Sequence, residues 1–125
     1  MNAPLRPSTT YRAVLGKVLE LQRKSLQWNQ EEVAKRLGTS QSAWSRVETG
    51  QSNLSVEELA VVAHVLETSS EAVLRDVQRS VEHLQKRGVM VLIGQPKAED
   101  NTGAALLGAA ALGALLVAIL TAGNK

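Results

Sequence analysis

Residues 29–50, with the sequence NQEEVAKRLGTSQSAWSRVETG, restrict the fold more than any other stretch of this chain. Apolar residues recur at helical spacing in both halves of the stretch, so each half predicts a short helix with one buried face. Gly38 separates the two halves, and glycine can adopt the left-handed conformation that ends a helix. The pattern therefore predicts two short helices joined by a tight turn.

The sequence also indicates the ends and the faces of these helices. Asn29 is a good N-cap, Glu32 three residues later completes a capping box, and Ser40 can cap the second helix. Two helices of this length across a glycine turn form a helix-turn-helix. In the second helix the side predicted to be buried carries Ala43, Trp44 and Val47. The opposite side shows Gln41, Ser42, Ser45 and Arg46.

Residues 29–50 resemble the helix-turn-helix of the Cro/cI-type repressors, also called the XRE family. The matching residues are NQEEVAKRLG in the first helix and SQSAWSRVETG in the second, and the resemblance extends over about residues 15–74. It implies an all-α fold, namely a five-helix lambda-repressor-like domain. It also implies sequence-specific binding to double-stranded DNA.

The resemblance assigns roles to individual side chains of the motif. Those that would face base edges in the major groove are Gln41, Ser42, Ser45 and Arg46. Glutamine can bond adenine through two hydrogen bonds, and arginine can bond guanine in the same way. Those that would hold the phosphate backbone are Asn29, Gln30 and Ser40. The alternative is a helix-turn-helix that serves only to bind another protein.

Arg23 and Glu48 form a second predicted constellation. The resemblance places an arginine of the first helix of the domain against the glutamate that ends the base-reading helix. The pair would tie that helix to the rest of the domain. It would fix geometry more than it would add stability, because the cost of desolvation offsets the attraction. The alternative is two unrelated surface charges.

Composition and motifs exclude several classes of function. Cysteine is absent, so the chain has no disulfide and no thiolate metal site. His64 and His83 lack a second ligand at a useful spacing, so no metal is predicted. No catalytic triad, phosphate-binding loop or dinucleotide motif occurs, and we predict no catalytic residue, no enzyme activity and no cofactor. Residues 1–50 carry eight basic residues against four acidic ones, which suits a phosphate backbone.

The chain divides by composition into four parts. The predicted parts are a flexible arm (1–10), the helix-turn-helix DNA-binding domain (11–88), a linker (89–102) and a separate hydrophobic helix (103–123). Two further helices of the domain have N-cap signals at Ser55 and Thr68. The run VMVLI at 89–93 could form a strand or an extended link.

The last helix of the predicted domain carries a heptad-like apolar seam. The seam consists of Leu74, Val77, Val81 and Leu84. Two uses are open: the first half of the helix packs on its own domain, or its second half forms a dimer seam between two copies of the chain. The second use would make the protein a homodimer or a higher homo-oligomer, suited to a palindromic operator.

Residues 103–123 contain no charged side chain and are mostly apolar. As a helix they would span about 31 Å, close to the thickness of bilayer hydrocarbon. They could form a transmembrane helix, or a soluble oligomerisation helix in which alanine and glycine permit close packing. A disordered tail is disfavoured because it would expose apolar surface. We predict a lipid bilayer anchor that holds a cytoplasmic DNA-binding domain at the membrane.

Together these features predict a sequence-specific transcriptional regulator, a dimeric repressor that occupies a palindromic operator. The competing prediction is a structural or interaction protein. It would assemble or anchor through the hydrophobic C-terminal helix and use the helix-turn-helix as a docking module. Salt dependence separates the two, because DNA binding releases counterions.

Overall fold

A computed structural model describes residues 6–94, 104–106, 112–114 and 116 of the chain. These residues form five helices and three short strands. The helices are α1 (Tyr11–Ser25), α2 (Gln30–Leu37), α3 (Gln41–Glu48), α4 (Val56–Val65) and α5 (Ser70–Lys86). The strands are β1 (Arg6–Thr10), β2 (Met90–Leu92) and β3 (Ala104–Leu106). The fold is mostly helical, as predicted, but it includes a small sheet that the all-α prediction lacked.

Each helix begins after a Ser, Thr or Asn whose side chain accepts a hydrogen bond from a backbone N–H in the first turn. These N-caps are Thr10, Asn29, Ser40, Ser55 and Ser69. Ser55 and Glu58 form a capping box, in which each side chain accepts the backbone N–H of the other residue. Helix α5 begins one residue later than predicted, because the hydroxyl of Ser69 accepts the N–H of Ala72.

The turns on either side of α2 both use the left-handed backbone conformation. Gly38 ends α2 with a φ of 74°, as the sequence predicted. Gln27, between α1 and α2, has a φ of 63° although it carries a side chain. This conformation is unfavourable for residues other than glycine, so the turn before α2 is strained.

All five helices contribute buried side chains to the core. Helix α1 contacts both α3 and α5, and Trp44 and Leu19 are fully buried between these elements. The side-chain amide of Gln22 donates to the carbonyl oxygen of Leu66 at 2.8 Å, which joins α1 to the end of α4. Helix α1 thus packs on α3, α5 and strand β1, whereas α2 packs on α3 and α4.

The apolar seam of α5 faces this core. Val77, Val81 and Leu84 are buried within the single chain, and only Leu74, at 41% exposed, reaches the surface. The seam is therefore the face by which α5 packs on its own domain, and its predicted use as a dimer contact is corrected.

The three strands form a parallel sheet with β1 between β2 and β3. Ser8 pairs with Met90 on one side and with Leu106 on the other. Strand β2 lies in the run at 89–93 and confirms the strand, one of the two options predicted for it. One prediction is corrected here: residues 6–10 form a strand and are not a flexible arm. The physical reason is burial. Ser8 and Thr9 are almost fully buried, and buried backbone groups need the hydrogen bonds that neighbouring strands supply.

The C-terminal stretch does not form the single helix predicted for residues 103–123. Strand β3 lies within it, and helical conformation appears at 112–114 and 116. Leu112 and Leu116 are 3% and 0% exposed, and both belong to the hydrophobic core of the domain. Among the residues that the structure describes, no helix combines the length and the apolar character needed to cross a bilayer.

Candidate nucleic-acid interface

Helix α3 presents a polar face to the solvent. Gln41, Ser42 and Arg46 are exposed, and Ser45 is half-buried. The opposite face is fixed by Trp44, which is buried in the core. The four residues predicted to read bases therefore lie on one side of α3, and the burial of Trp44 determines which side that is.

The N-termini of α2 and α3 are both open to solvent. The side-chain oxygen of Asn29 accepts the N–H of Glu32 at 2.8 Å, and the hydroxyl of Ser40 accepts the N–H of Ala43 at 3.1 Å. Both capping residues are exposed. Helix N-termini attract anions through free backbone N–H groups and the helix dipole. Asn29 and Ser40 thus lie at two positions suited to phosphate groups, and each also caps its own helix.

A chain of hydrogen bonds runs from the exposed start of α3 into the interior. The Nε2 of Gln41 donates to the Oε1 of Gln30 at 2.7 Å. The Nε2 of Gln30 then donates to the Oε1 of Glu48 at 2.8 Å. Gln30, predicted as a phosphate contact, therefore also holds Gln41 and links it to the buried carboxylate.

Glu48 is the centre of this network. Its side chain is buried, yet its two oxygens accept four hydrogen bonds. Arg23 donates from Nε at 2.6 Å and from Nη2 at 3.0 Å, so the predicted partners form a bidentate pair and are not unrelated surface charges. The indole N–H of Trp44 donates at 2.5 Å. Hydrogen bonds to Glu48 thus join the C-terminal end of α3 to α1 and α2, and one further bond lies within α3.

The electrostatics of Arg23 follow from this pairing. The hydrogen bonds to Glu48 raise the pKa of the Arg23 guanidinium and outweigh the opposing effect of burial. Arg23 also donates from Nη1 to the carbonyl oxygen of Trp28 at 2.8 Å. Removing either member of the pair would leave the other charge buried without a partner, which is far more costly than losing a surface pair.

The one acidic residue of α1, Glu20, lies among basic side chains. Burial of Glu20 opposes its ionisation, but hydrogen bonds and charge attraction from Lys17 and Lys24 outweigh burial and lower its pKa. On α2, Arg36 lies over the ring of Trp28 at 4.0 Å and bonds Glu32 at 2.8 Å. Lys17, Lys24 and Arg36 are thus each paired with an acidic side chain.

The sequence-based predictions missed two hydrogen-bond links in this site. The hydrogen bond from Trp44 to Glu48 could have been found, since residues four apart face each other on a helix. The link from Gln41 through Gln30 could not, because it joins two helices whose relative placement depends on the whole core.

Comparison with known proteins identifies the motif. The protein family described as a helix-turn-helix domain matches residues 14–77. The chain belongs to this XRE-type helix-turn-helix family. The family resemblance predicted from residues 29–50 is therefore confirmed. No curated protein matches the chain significantly.

Solved structures of other helix-turn-helix proteins are similar to this chain. Two crystal structures of ClgR, the clp gene regulator of Corynebacterium glutamicum, have TM-scores of 0.56 and 0.52 with 29% and 31% identity. The first match covers 62% of this chain and 84% of ClgR, and the second covers 54% and 88%. The match to HppE covers 50% of this chain and 35% of the HppE chain, at 25% identity and a TM-score of 0.48. This similarity is too weak to bear on activity.

Proposed function

We propose that this protein is a sequence-specific DNA-binding transcriptional regulator that acts as a repressor. The observation that carries the proposal is the setting of Gln41, which is exposed at the start of α3 and held from behind by Gln30. A side chain that reads bases must be accessible and must also be fixed in orientation. The similar ClgR is described as a gene regulator, which supports the same class.

The mechanism of base reading follows from the donors and acceptors on α3. After donating one N–H to Gln30, Gln41 keeps a second N–H and its Oε1. These match the N7 acceptor and the N6 donor of adenine in the major groove. Arg46, further along the same face, would bond guanine, and Ser42 and Ser45 could meet either base.

Phosphate contacts would set the register of α3 in the groove. Asn29 and Ser40 lie at the exposed N-termini of the two motif helices, where backbone N–H groups can hold phosphate oxygens. Such contacts position a protein without reading sequence. Gln30 would serve both purposes, because it is bonded to Gln41 and also follows Asn29 directly.

We further propose that a homodimer binds a palindromic operator. One copy of α3 reads only a few base pairs, and a two-fold dimer would add a second copy about one helical turn away, roughly 34 Å. The contact between copies would use a surface other than the buried seam of α5. A dimer on a promoter would repress by excluding polymerase. This activity assigns the domain to the cytoplasm, where it can meet DNA.

A bilayer anchor is left out of the proposal. Leu112 and Leu116 lie within the predicted membrane span but pack in the core of the domain. A leucine cannot be buried in this core and face lipid at the same time. The same burial argues against a C-terminal segment whose only role is to assemble copies of the chain.

The proposal is tested with the full chain and a randomised duplex library. We expect enrichment of one two-fold symmetric sequence. Gln41→Ala should then lower affinity for that sequence by about 1–3 kcal/mol and relax one base position. Gln78→Ala, at an exposed glutamine of α5, is the matched control and should leave binding unchanged.

The docking-module alternative predicts a different result in the same assay. A DNA binder loses affinity steeply as salt rises, because bound phosphates release counterions. If the library yields no enriched sequence at any salt concentration, base reading by α3 is refuted and docking of a protein partner becomes the better account.

A further inference from the structure

Helix α1 crosses the C-terminal end of α3 at Gly16, with no side chain between the two backbones. A Cβ added to Gly16 would lie 2.4 Å from the carbonyl oxygen of Val47 and 2.5 Å from that of Glu48. Both distances are far below van der Waals contact. Because the two oxygens belong to the backbone, they cannot rotate away. Any other residue at position 16 must therefore push α1 and α3 apart.

The conformation of α1 itself does not require glycine at this position. Gly16 lies inside the helix, and its φ is not in the left-handed region. Glycine inside a helix destabilises it relative to alanine. Helix propensity alone would therefore favour alanine at position 16. The close approach of α3 is the structural reason for glycine there.

A second close approach lies one turn earlier on α1. Gly50, in the turn that follows α3, would place a Cβ 2.6 Å from the Cα of Ala13. Ala13 and Gly16 are three residues apart and so share one face of α1. Arg23, seven residues beyond Gly16, bonds Glu48 from the same side. One face of α1 thus holds the C-terminal end of α3 and the turn after it.

We propose that Gly16 is a positioning residue for DNA recognition, which sets the separation between α1 and α3 and so the placement of Gln41 and Arg46 against base edges. This inference rests on the proposed function. Restoring normal contact around a Cβ at position 16 would displace α3 by about 1 Å. Hydrogen bonds to base edges tolerate only about 0.5 Å of error. Affinity for random DNA comes from charge attraction to phosphates, which depends less on exact placement.

The test is the ratio of affinities for the selected operator and for random DNA, measured on the full chain. G16A should lower operator affinity about 10- to 100-fold and leave affinity for random DNA within about two-fold. Gln78→Ala is the control, because Gln78 is an exposed residue of α5. Gln78→Ala should keep the ratio. An unchanged ratio in G16A, or an equal loss on both DNAs, would overturn the inference.

A DNA-free measurement separates failure of this inference from failure of the proposed function. In G16A the amide resonances of α3 should shift, and so should the indole N–H resonance of Trp44. If they match the wild type, the positioning role is refuted whatever the DNA result. If the wild-type protein shows no sequence preference, the proposed function fails independently. Should G16A not fold, A13G removes a methyl group from the neighbouring approach of α1 to Gly50 and should also lower the ratio. An unchanged ratio in A13G would then overturn the inference.

Discussion

The helix-turn-helix and the parallel sheet bury polar atoms in opposite ways. In the motif, the buried carboxylate of Glu48 accepts hydrogen bonds from three residues. In the sheet, the hydroxyl of Ser8 is buried and has no hydrogen-bond partner within the described part of the chain. Stability there must come from apolar contacts, such as those of the buried Val89 next to strand β2. Directional bonds fix orientation, whereas apolar burial supplies stability without it.

The largest expected effect comes from breaking the hydrogen-bond network around Glu48. Glu48→Ala leaves the Arg23 guanidinium buried without its partner and should destabilise the fold by about 3–5 kcal/mol. Denaturant unfolding measures the change. The matched control is Glu32→Ala, which removes an exposed pair with Arg36 and should cost less than about 1 kcal/mol. Equal losses from the two variants would show that the buried network does not stabilise α3.

A second variant tests how much apolar burial contributes to stability. Leu116→Ala should lower the free energy of unfolding by about 2–5 kcal/mol, because it removes a fully buried side chain. Val56→Ala, at a residue 84% exposed, is the control and should change stability by less than about 0.5 kcal/mol. A Leu116→Ala variant as stable as the control would mean that this leucine lies outside the core.

A smaller effect is expected at the junction that leads into the motif. Gln27→Gly should stabilise the protein by about 1 kcal/mol, because glycine adopts a φ of 63° without steric cost. Gln78→Gly, inside α5, should instead destabilise it by about 1 kcal/mol. Thermal unfolding of both variants measures the difference. Two shifts of the same sign would contradict the strain assigned to Gln27.

The smallest expected effect concerns acid stability. The pKa of Glu20 is lowered in the fold, so its ion pairs stabilise the protein above the pKa of the unfolded chain. That contribution is lost as the pH falls through the lowered pKa. Glu20→Gln should therefore reduce the difference in melting temperature between about pH 6 and pH 3. A variant with an unchanged acid profile would show that other carboxylates control it.

The motif was predictable because its signals are local. N-caps at Asn29 and Ser40, glycine at Gly38 and the burial of Trp44 all depend on neighbours within one or two turns. The pairing of Arg23 with Glu48 is not local, and it was available only through the family resemblance. The exposed face of α3 followed directly from its buried one.

The sheet and the placement of the C-terminal leucines could not be predicted in this way. Strand β1 is short, polar and contains proline, and its burial depends on partners that lie far along the chain. The seam of α5 was recognised, but periodicity alone cannot say whether an apolar face meets its own domain or a second copy. An apolar run of the right length likewise fits lipid and protein equally well.

The central position of β1 has a consequence for the order of folding. Strand β1 precedes all five helices in the chain, whereas its partners β2 and β3 follow them. During synthesis it must wait until the whole helical region has emerged. Contacts between distant segments form late, because closing a long loop costs entropy before any contact is gained. The helices should therefore assemble first in refolding, and protection of the β1 amides from hydrogen exchange should appear last.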